Sequence, residues 1–466
     1  MRKEDLYSAI ERNEGLFTGL ASAIWASPEL SFRERKASAA QREALRSLGF
    51  RVAELDAVQE NAFIAECGEG GPVVGLLGEF DALPGLSQRA TATREAVSEG
   101  GPGHGCGHNL LGTACLAAAA AIKSGIESGA LCGTVRYFGC PGEEMLGKAV
   151  LARAGVFKGL DAALCWHPAD INSVGAYSTS AALQLEFAFK GKAAHAAQVP
   201  HMGRSALDAL TLMSVGTEFL REHSTPGARI HYIVTSGGER PNIVPDFASG
   251  SFQVRAARMR EARELVLRLI DVARGAALMT GTGMEYRLEQ GCYDVIPNAV
   301  ISDLIYENLK AAPRPSYDEE DMAFAAALTA TNPAPQREAE LEMLGVDPVS
   351  AERLAAVPLH REIGYFGKGW RMPSSTDVGD VSHIAPTGQM LAAAWPIGVG
   401  THTWQATAAS GSRLGMKGML FAAKALAGTG WDLLRDEAAR SRARKEFERA
   451  IGGEAYVPAE EIVAAQ

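Results

Sequence analysis

The chain has 466 residues, of which 47% are hydrophobic and 21% charged, and a formal net charge of −10. This composition is typical of a soluble globular protein with about two to four domains, and the negative charge argues against nonspecific nucleic-acid binding, which depends on Lys and Arg. The N-terminus predicts an amphipathic helix rather than a signal peptide, and no apolar run reaches the ~18 residues of a membrane span. We therefore expect a cytoplasmic protein that makes no membrane contact and keeps its seven cysteines reduced.

The first part of the chain alternates apolar strand-like runs with helical segments. The runs end at "GEFDALPG", "PGEE" and "CWHP", and an Ala-rich helix is predicted over residues 110–122, between the first two. This alternation predicts an α/β fold with a mostly parallel sheet and helices on both faces. Because sites in open α/β sheets gather beyond the carboxyl ends of the strands, we expect the functional site at these three strand ends.

A different pattern begins near Ala181 and continues as strand, helix, strand, strand, helix and strand. This βαββαβ order is typical of a ferredoxin-like unit. We expect it, over residues 181–293, to be a dimerisation or lid domain that interrupts a catalytic domain formed by residues 1–180 and 294–466. Residues 311–360 are rich in Pro, Ala and acidic side chains, which predicts a surface segment with short helices and no chemistry.

Side chains that can bind metal stand at or near these strand ends. The loop "GHGCGHNLLG" carries Cys106 and His108, "PGEE" carries Glu144, "CWHP" carries His167, and "THTWQ" carries His402 late in the chain. A hydrolytic metal site needs such donors from different strands and a carboxylate base that is not itself a ligand. These five residues are therefore the candidate metal ligands.

Two pairs of acidic residues suit supporting roles. Side chains of consecutive residues in extended backbone point in opposite directions, so Glu144 could bind metal while Glu143 takes a proton from water. Asp81 shares a strand face with Glu79 by the two-residue period, where it could orient a ligand histidine; a turn before Pro84 is the alternative.

Four further polar residues are weaker candidates, and for the three in the inserted domain a structural role is the simpler interpretation. His104 stands between glycines, so its direction is undetermined, and it is only a candidate for supporting a ligand. In the inserted domain, His195, Asn242 in a Pro-flanked turn and Arg255 on a strand are candidates for contact with the substrate.

In their order along the chain, "GEFDALPGLSQ", "GHGCGHNLLG", "PGEE", "CWHP", "SSTDVGDVS" and "THTWQ" resemble the motifs of M20-type metallopeptidases and amidohydrolases. The resemblance covers nearly the whole chain and is strongest to the branch of the B-type subunits of p-aminobenzoyl-glutamate hydrolase. In one departure, Glu79 stands where the wider family has the His of its His-x-Asp-x-x-Pro motif. A metal-binding His is therefore missing from this loop, and Cys106 with His108 would complete the donor set.

The resemblance implies a site for two divalent ions, manganese or zinc, and assigns roles to the candidate residues. The metal ligands would be Cys106, His108, Glu144, His167 and His402. Glu143 would be the general base, and Asp81 would belong to the catalytic set. His195 would reach the partner subunit's site to stabilise the oxyanion, and Asn242 and Arg255 would bind the substrate.

The implied activity is hydrolysis of an amide bond between an acyl group, expected to be aromatic, and an amino acid, as in p-aminobenzoyl-glutamate, with release of glutamate. An M20-type dipeptidase for β-alanyl or basic dipeptides is one alternative, and an aromatic-amine hydrolase is a more distant one. A non-catalytic partner subunit of a hetero-oligomeric hydrolase is a third, which the intact Glu143 and the full donor set disfavour. The working form would be a homodimer or a heterodimer with a related subunit.

Overall fold

The computed structural model describes residues 1–464, and the chain forms two compact units. The first unit comprises Met1–Ser178, Ile296–Met372 and Asp380–Tyr456, and the second comprises Thr179–Val295, Pro373–Gly379 and the segment from Val457 onward. The strands are β1 (Arg51–Glu54), β2 (Phe63–Glu69), β3 (Val73–Glu79), β4 (Gly133–Cys140), β5 (Ala162–Ala169), β6 (Ser173–Val174), β7 (Ala181–Lys190), β8 (Arg229–Ser236), β9 (Phe247–Ala256), β10 (Gly283–Cys292) and β11 (Thr387–Ala393).

Helices account for most of the remaining regular structure. In chain order they are α1 (Lys3–Arg12), α2 (Glu14–Ala26), α3 (Arg35–Ser47), α4 (His108–Glu127), α5 (Gly147–Arg153), α6 (Ala206–Glu222), α7 (Met259–Thr280), α8 (Ala299–Ala311), α9 (Glu319–Thr329), α10 (Ala334–Met343), α11 (Pro348–Ala355), α12 (Val378–Ser382), α13 (Trp404–Ser410), α14 (Arg413–Arg435), α15 (Glu437–Ile451) and α16 (Ala459–Ala464).

The first unit is built on a seven-stranded sheet in the order β1-β2-β4-β3-β5-β11-β6. The four central strands β4, β3, β5 and β11 run parallel, and the outer strands pair antiparallel with their neighbours. Alternate residues of β11 face opposite layers: Met390 and Ala392 belong to the core cluster of α4 and α14, whereas Leu391 packs with Leu341 of α10 and Leu354 of α11. The predicted α/β fold with helices on both faces is confirmed.

Helix α4 lies directly against the end of β3. It begins at His108, after Gly107 turns the chain at φ 74°, and a Cβ atom on Gly112 would lie 2.4 Å from the Glu79 carbonyl oxygen. This close approach brings the first turn of α4 to the carboxyl end of the sheet. The helix is also long and apolar enough to cross a membrane by length and composition, but 83% of its apolar window is buried inside the protein, as in a core helix.

The second unit contains a four-stranded antiparallel sheet in the order β10-β7-β9-β8, with α6 and α7 packed on it. Its elements follow one another as β7-α6-β8-β9-α7-β10, the βαββαβ order expected from the sequence. Alternate residues of β7 are fully buried because α6 and α7 cover one face of the sheet. These residues are Leu183, Leu185, Phe187 and Phe189. The second unit also takes in Pro373–Gly379, a segment that was predicted to belong to the catalytic domain.

Candidate metal centre

The parallel strands deliver the predicted donors to one edge of the large sheet. Glu79, at the end of β3, pairs in register with Cys140 at the end of β4, and the "PGEE" turn follows directly. His167 lies near the end of β5, which runs parallel to β3. The loop that precedes α4 completes the arrangement by bringing Cys106 and His108 to the same edge.

Cys106, His108 and His167 form one group of donor atoms, all within 4.8 Å of one another. Cys106 Sγ lies 3.2 Å from His167 Nε2, and His167 Nδ1 lies 2.7 Å from the Pro168 carbonyl oxygen, to which it donates. His108 donates from Nδ1 to Asp81 Oδ1 at 2.7 Å, and its buried Nε2 has no hydrogen-bond partner among residues 1–464. Histidine ligands in metal sites are held in this way, with one nitrogen on a carboxylate or carbonyl and the other left for the ion.

Cys106, Glu144 and His402 form a second group within the same distance limit. His402 Nε2 lies 3.3 Å from Glu144 Oε1. The His402 backbone has φ 62°, an uncommon conformation for a residue other than glycine, and its N–H donates to the Gly105 carbonyl oxygen at 2.8 Å. The loop of His402 is thereby tied to the loop of Cys106.

The separations within the two groups match those between ligands of one ion. Ligand atoms bonded to a metal at about 2.0–2.3 Å lie roughly 3–4 Å from each other, as Cys106 and His167 do at 3.2 Å and Glu144 and His402 do at 3.3 Å. Cys106 belongs to both groups, so its sulfur is the donor atom that they have in common. A thiolate with imidazole and carboxylate ligands suits zinc, and the harder donors suit manganese as well.

Glu143 and Glu144 lie in a 3₁₀ turn, Glu143–Met145, so the prediction of extended backbone at this pair was wrong. The turn is enclosed by Gly142 at φ 70° and Leu146 at φ 62°, which reverse the chain after β4. The two carboxylates still diverge: Glu144 faces His402, whereas Glu143 Oε2 lies 3.9 Å from His108 Nε2. With Glu79 and His108, Glu143 forms a third group of possible donors within 4.8 Å.

Asp81 connects several parts of the centre. Besides His108, it accepts hydrogen bonds from Ser31 Oγ at 2.7 Å and from the Glu144 backbone N–H at 3.1 Å, both at Oδ2. Although burial alone would raise its pKa, His108 and these hydrogen bonds lower it to about 2. Asp81 is therefore an ionised anchor that fixes both a histidine ring and the turn of Glu143 and Glu144.

The donors stabilise one another electrostatically. Burial alone would raise the pKa of Cys106, but His167 and His108 lower it to about 6, which favours the thiolate that binds metals. Burial lowers the pKa of His108, yet Cys106 and Asp81 raise it well above its usual value. Hydrogen bonds to Cys106 and Glu144 raise the pKa of His402 to about 10. Divalent ions would replace the protons that these groups otherwise share.

The sequence-predicted residues of the inserted domain lie in the second unit. Ala196 donates its N–H to the Asn242 carbonyl oxygen at 3.0 Å, and a β-bridge joins His195 to Ile243, so the exposed His195 and Asn242 loops are held side by side. Arg255 on β9 donates to Ser375 Oγ at 2.8 Å, also in the second unit.

Three residues around the metal centre were not found by sequence reasoning. Ser31 bonds to Asp81, Glu34 accepts the Gly142 N–H at 2.7 Å, and the Lys148 ammonium lies 2.6 Å from Glu79 Oε1. The one available signal was Lys148, a charged residue followed by the apolar run Ala149–Ala152 of a short helix. His104 is buried and bonds to the Ile24 carbonyl oxygen at 3.2 Å; burial lowers its pKa to about 4. It belongs to none of the three donor groups.

A buried thiol stands in two groups of donors at the carboxyl ends of parallel strands, and the other donors are imidazoles and a carboxylate. Sites of this kind are found in metal-dependent hydrolases.

A family model described as the peptidase dimerisation domain matches residues 177–278. The chain is 40% identical over 457 residues to the B-type subunit of p-aminobenzoyl-glutamate hydrolase of Escherichia coli, covering 96% of this chain and 95% of the relative. It is 31% identical over 448 residues to the Xaa-Arg dipeptidase of Mus musculus, covering 92% and 88%. The chain belongs to the M20 family of hydrolases, which act on amide bonds.

Solved structures share the fold. An M20-family dinuclear metal-binding peptidase of Bacillus subtilis superposes with a TM-score of 0.59 at 18% identity, over 91% of this chain and 99% of the other. An aminobenzoyl-glutamate utilization protein of Klebsiella pneumoniae superposes with a TM-score of 0.58 at 16% identity, over 89% and 98%.

Proposed function

We propose that the chain is a metal-dependent amidohydrolase that cleaves the bond between an aromatic acyl group and an amino acid. Its substrate class is that of p-aminobenzoyl-glutamate, with glutamate as the leaving amine. The observation that carries this proposal is the pair of donor groups that share Cys106, with the Glu143 carboxylate beside them. The 40% identity to one of the subunits of a p-aminobenzoyl-glutamate hydrolase supports the choice of substrate.

Two divalent ions would occupy the two donor groups that share Cys106. Cys106, His108 and His167 would hold one ion, and Cys106, Glu144 and His402 the other, with zinc and manganese as the metals to test. Bound divalent ions polarise a carbonyl group and lower the pKa of water. The pairing of His108 with Asp81 and of His167 with the Pro168 carbonyl fixes the ring nitrogens that the ions require.

Glu143 would serve as the general base. Its carboxylate lies next to the His108 donor group, 3.9 Å from Nε2, with 14% of the side chain exposed. From there it would accept a proton from the attacking water and pass it to the leaving amine. A partly buried carboxylate beside the donors suits both transfers, because one group must serve first as base and then as acid.

The second unit would supply substrate contacts and the dimer interface, with residues 181–293 as the inserted domain. Arg255 would pair with a substrate carboxylate, Asn242 would bind the substrate, and His195 from a partner subunit would stabilise the oxyanion. The match of residues 177–278 to a peptidase dimerisation domain supports a dimer, either of two copies or with a related second chain. The proposed compartment is the cytoplasm, where the seven cysteines would stay reduced.

A second candidate function is a dipeptidase, which the 31% identity to an Xaa-Arg dipeptidase across 92% of this chain favours. The test is to load the purified chain with zinc or manganese and to measure amine release from p-aminobenzoyl-glutamate and from dipeptides that end in arginine. Release of glutamate with kcat/KM at least tenfold above that for the dipeptides supports the proposal. The reverse order would assign the chain to the dipeptidases, and no release from either substrate would contradict both functions for the chain on its own.

A further inference from the structure

A fully buried ion pair stands beside the metal donors. Lys148, near the start of α5, places its ammonium 2.6 Å from Glu79 Oε1 at the end of β3. The Lys148 side chain is 0% exposed and that of Glu79 is 4% exposed. Buried charges of this kind are stable only when they are paired, so each of the two side chains constrains the position of the other.

The second oxygen of Glu79 faces a candidate ligand. Glu79 Oε2 lies 3.3 Å from His108 Nε2, the nitrogen that the Asp81 hydrogen bond leaves for an ion. This separation equals that between Glu144 and His402, two residues proposed to share one ion. Glu79, His108 and Glu143 form a further group of possible donors within 4.8 Å of one another, so by distance alone Glu79 could be an additional ligand of the ion on His108.

We propose that Lys148 is a positioning residue of the metal centre, an inference that rests on the proposed function. It holds Glu79 by Oε1, so that the carboxylate contributes its negative charge beside His108 without becoming a ligand. Binding of the ion through Oε2 would draw the charge of the carboxylate away from the buried ammonium at Oε1, which opposes that binding. The restraint keeps a coordination position open for water and substrate, as a catalytic rather than a structural metal site requires.

The test uses Co²⁺ as the probe in the full-length protein, because the visible absorption of high-spin Co²⁺ weakens as its coordination number rises. The variants are Lys148→Met, Glu79→Gln and the double variant Lys148→Met/Glu79→Gln. Lys123→Met is the matched control: Lys123 on α4 is 9% exposed and pairs with Glu127 at 2.5 Å, but it belongs to none of the donor groups.

We expect Lys148→Met to weaken the Co²⁺ absorption while metal content is retained, since the released Glu79 joins the ion. Turnover should fall by about 10–100-fold, mainly in kcat, and the double variant should regain the wild-type spectrum and most of the turnover. Glu79→Gln and Lys123→Met should keep the wild-type spectrum. The spectra do not depend on the substrate, so they test this inference even if p-aminobenzoyl-glutamate is not hydrolysed.

Two results would overturn the inference. A Lys148→Met protein with the wild-type Co²⁺ spectrum would show that Lys148 does not restrain Glu79. Stronger absorption in Glu79→Gln would show that Glu79 is already a ligand. If Lys148→Met does not fold, Glu79→Gln and the double variant provide the test, because the double variant removes both buried charges together. Wild-type spectra in both variants support the inference. A stronger spectrum in either variant refutes it.

Discussion

At the scale of single residues, a three-residue turn separates two adjacent carboxylates. Glu144 Oε1 faces His402 Nε2 at 3.3 Å, and Glu143 Oε2 lies on the His108 side, 3.9 Å from Nε2. Asp81 holds the turn by accepting the Glu144 N–H, and Glu34 holds it by accepting the Gly142 N–H. The turn thus gives two chemically identical side chains different surroundings, as a ligand and a base require.

Replacing Glu143 by alanine separates these roles. Glu143→Ala should retain the metal content of the wild type and lower kcat by about 10²–10⁴-fold, the usual contribution of a general base. Glu342→Ala, at an exposed position of α10, is the control and should leave both unchanged. Metal analysis and glutamate release are the measurements, and near-normal turnover in Glu143→Ala would remove Glu143 from the role of base.

His360, which is not one of the metal donors, makes the free energy of unfolding depend on pH. Burial lowers its pKa to about 4, and its Nδ1 accepts the Asn172 N–H at 2.9 Å. Between about pH 6.5 and 4 the unfolded chain binds a proton here that the folded chain does not, so stability falls as pH falls, by up to about 3 kcal/mol. His360→Gln should flatten this part of the curve of unfolding free energy against pH. Parallel curves for the two proteins would contradict the prediction.

At the scale of elements, the sequence predicted the strand ends and the βαββαβ unit because both depend on local apolar periodicity. The turn of Glu143 and Glu144 escaped prediction, since it depends on Leu146, a residue other than glycine, adopting a positive φ. The burial of Lys148 escaped as well, because its partner Glu79 is distant in sequence. Residues 311–360 do form short helices, and Leu341 and Leu354 pack them onto the sheet.

At Gly112, where α4 contacts the end of β3, the fold has no room for a side chain. A Cβ at Gly112 would lie 2.4 Å from the Glu79 carbonyl oxygen, whereas a Cβ at Gly19 on α2 meets nothing within 4 Å. Gly112→Ala should therefore destabilise the protein by about 1–3 kcal/mol and weaken metal binding, because α4 begins with His108. Gly19→Ala should be neutral or stabilising by up to about 1 kcal/mol. Denaturant unfolding and metal titration of both variants check this, and equal stability would contradict it.

At the scale of the whole molecule, the proposed function includes a dimer in which His195 of the partner subunit stabilises the oxyanion. If His195 acts in a partner's site, mixing His195→Ala and Glu143→Ala subunits should restore activity, up to about one intact site in each mixed dimer. Each variant alone is the control and should stay inactive. Absence of recovery in mixtures that have exchanged subunits would count against sharing.

The central claim is that Cys106 is shared by two metal ions, and the metal content of the Cys106→Ala variant tests it most directly. The wild type and the variant, together with Cys132→Ala as an exposed-cysteine control, would be loaded with zinc, passed through a desalting column and analysed for metal per chain. We predict two ions in the wild type and in Cys132→Ala, and fewer than one in Cys106→Ala, because both sites lose a ligand. Two tightly bound ions in Cys106→Ala, or none in the wild type, would contradict the claim.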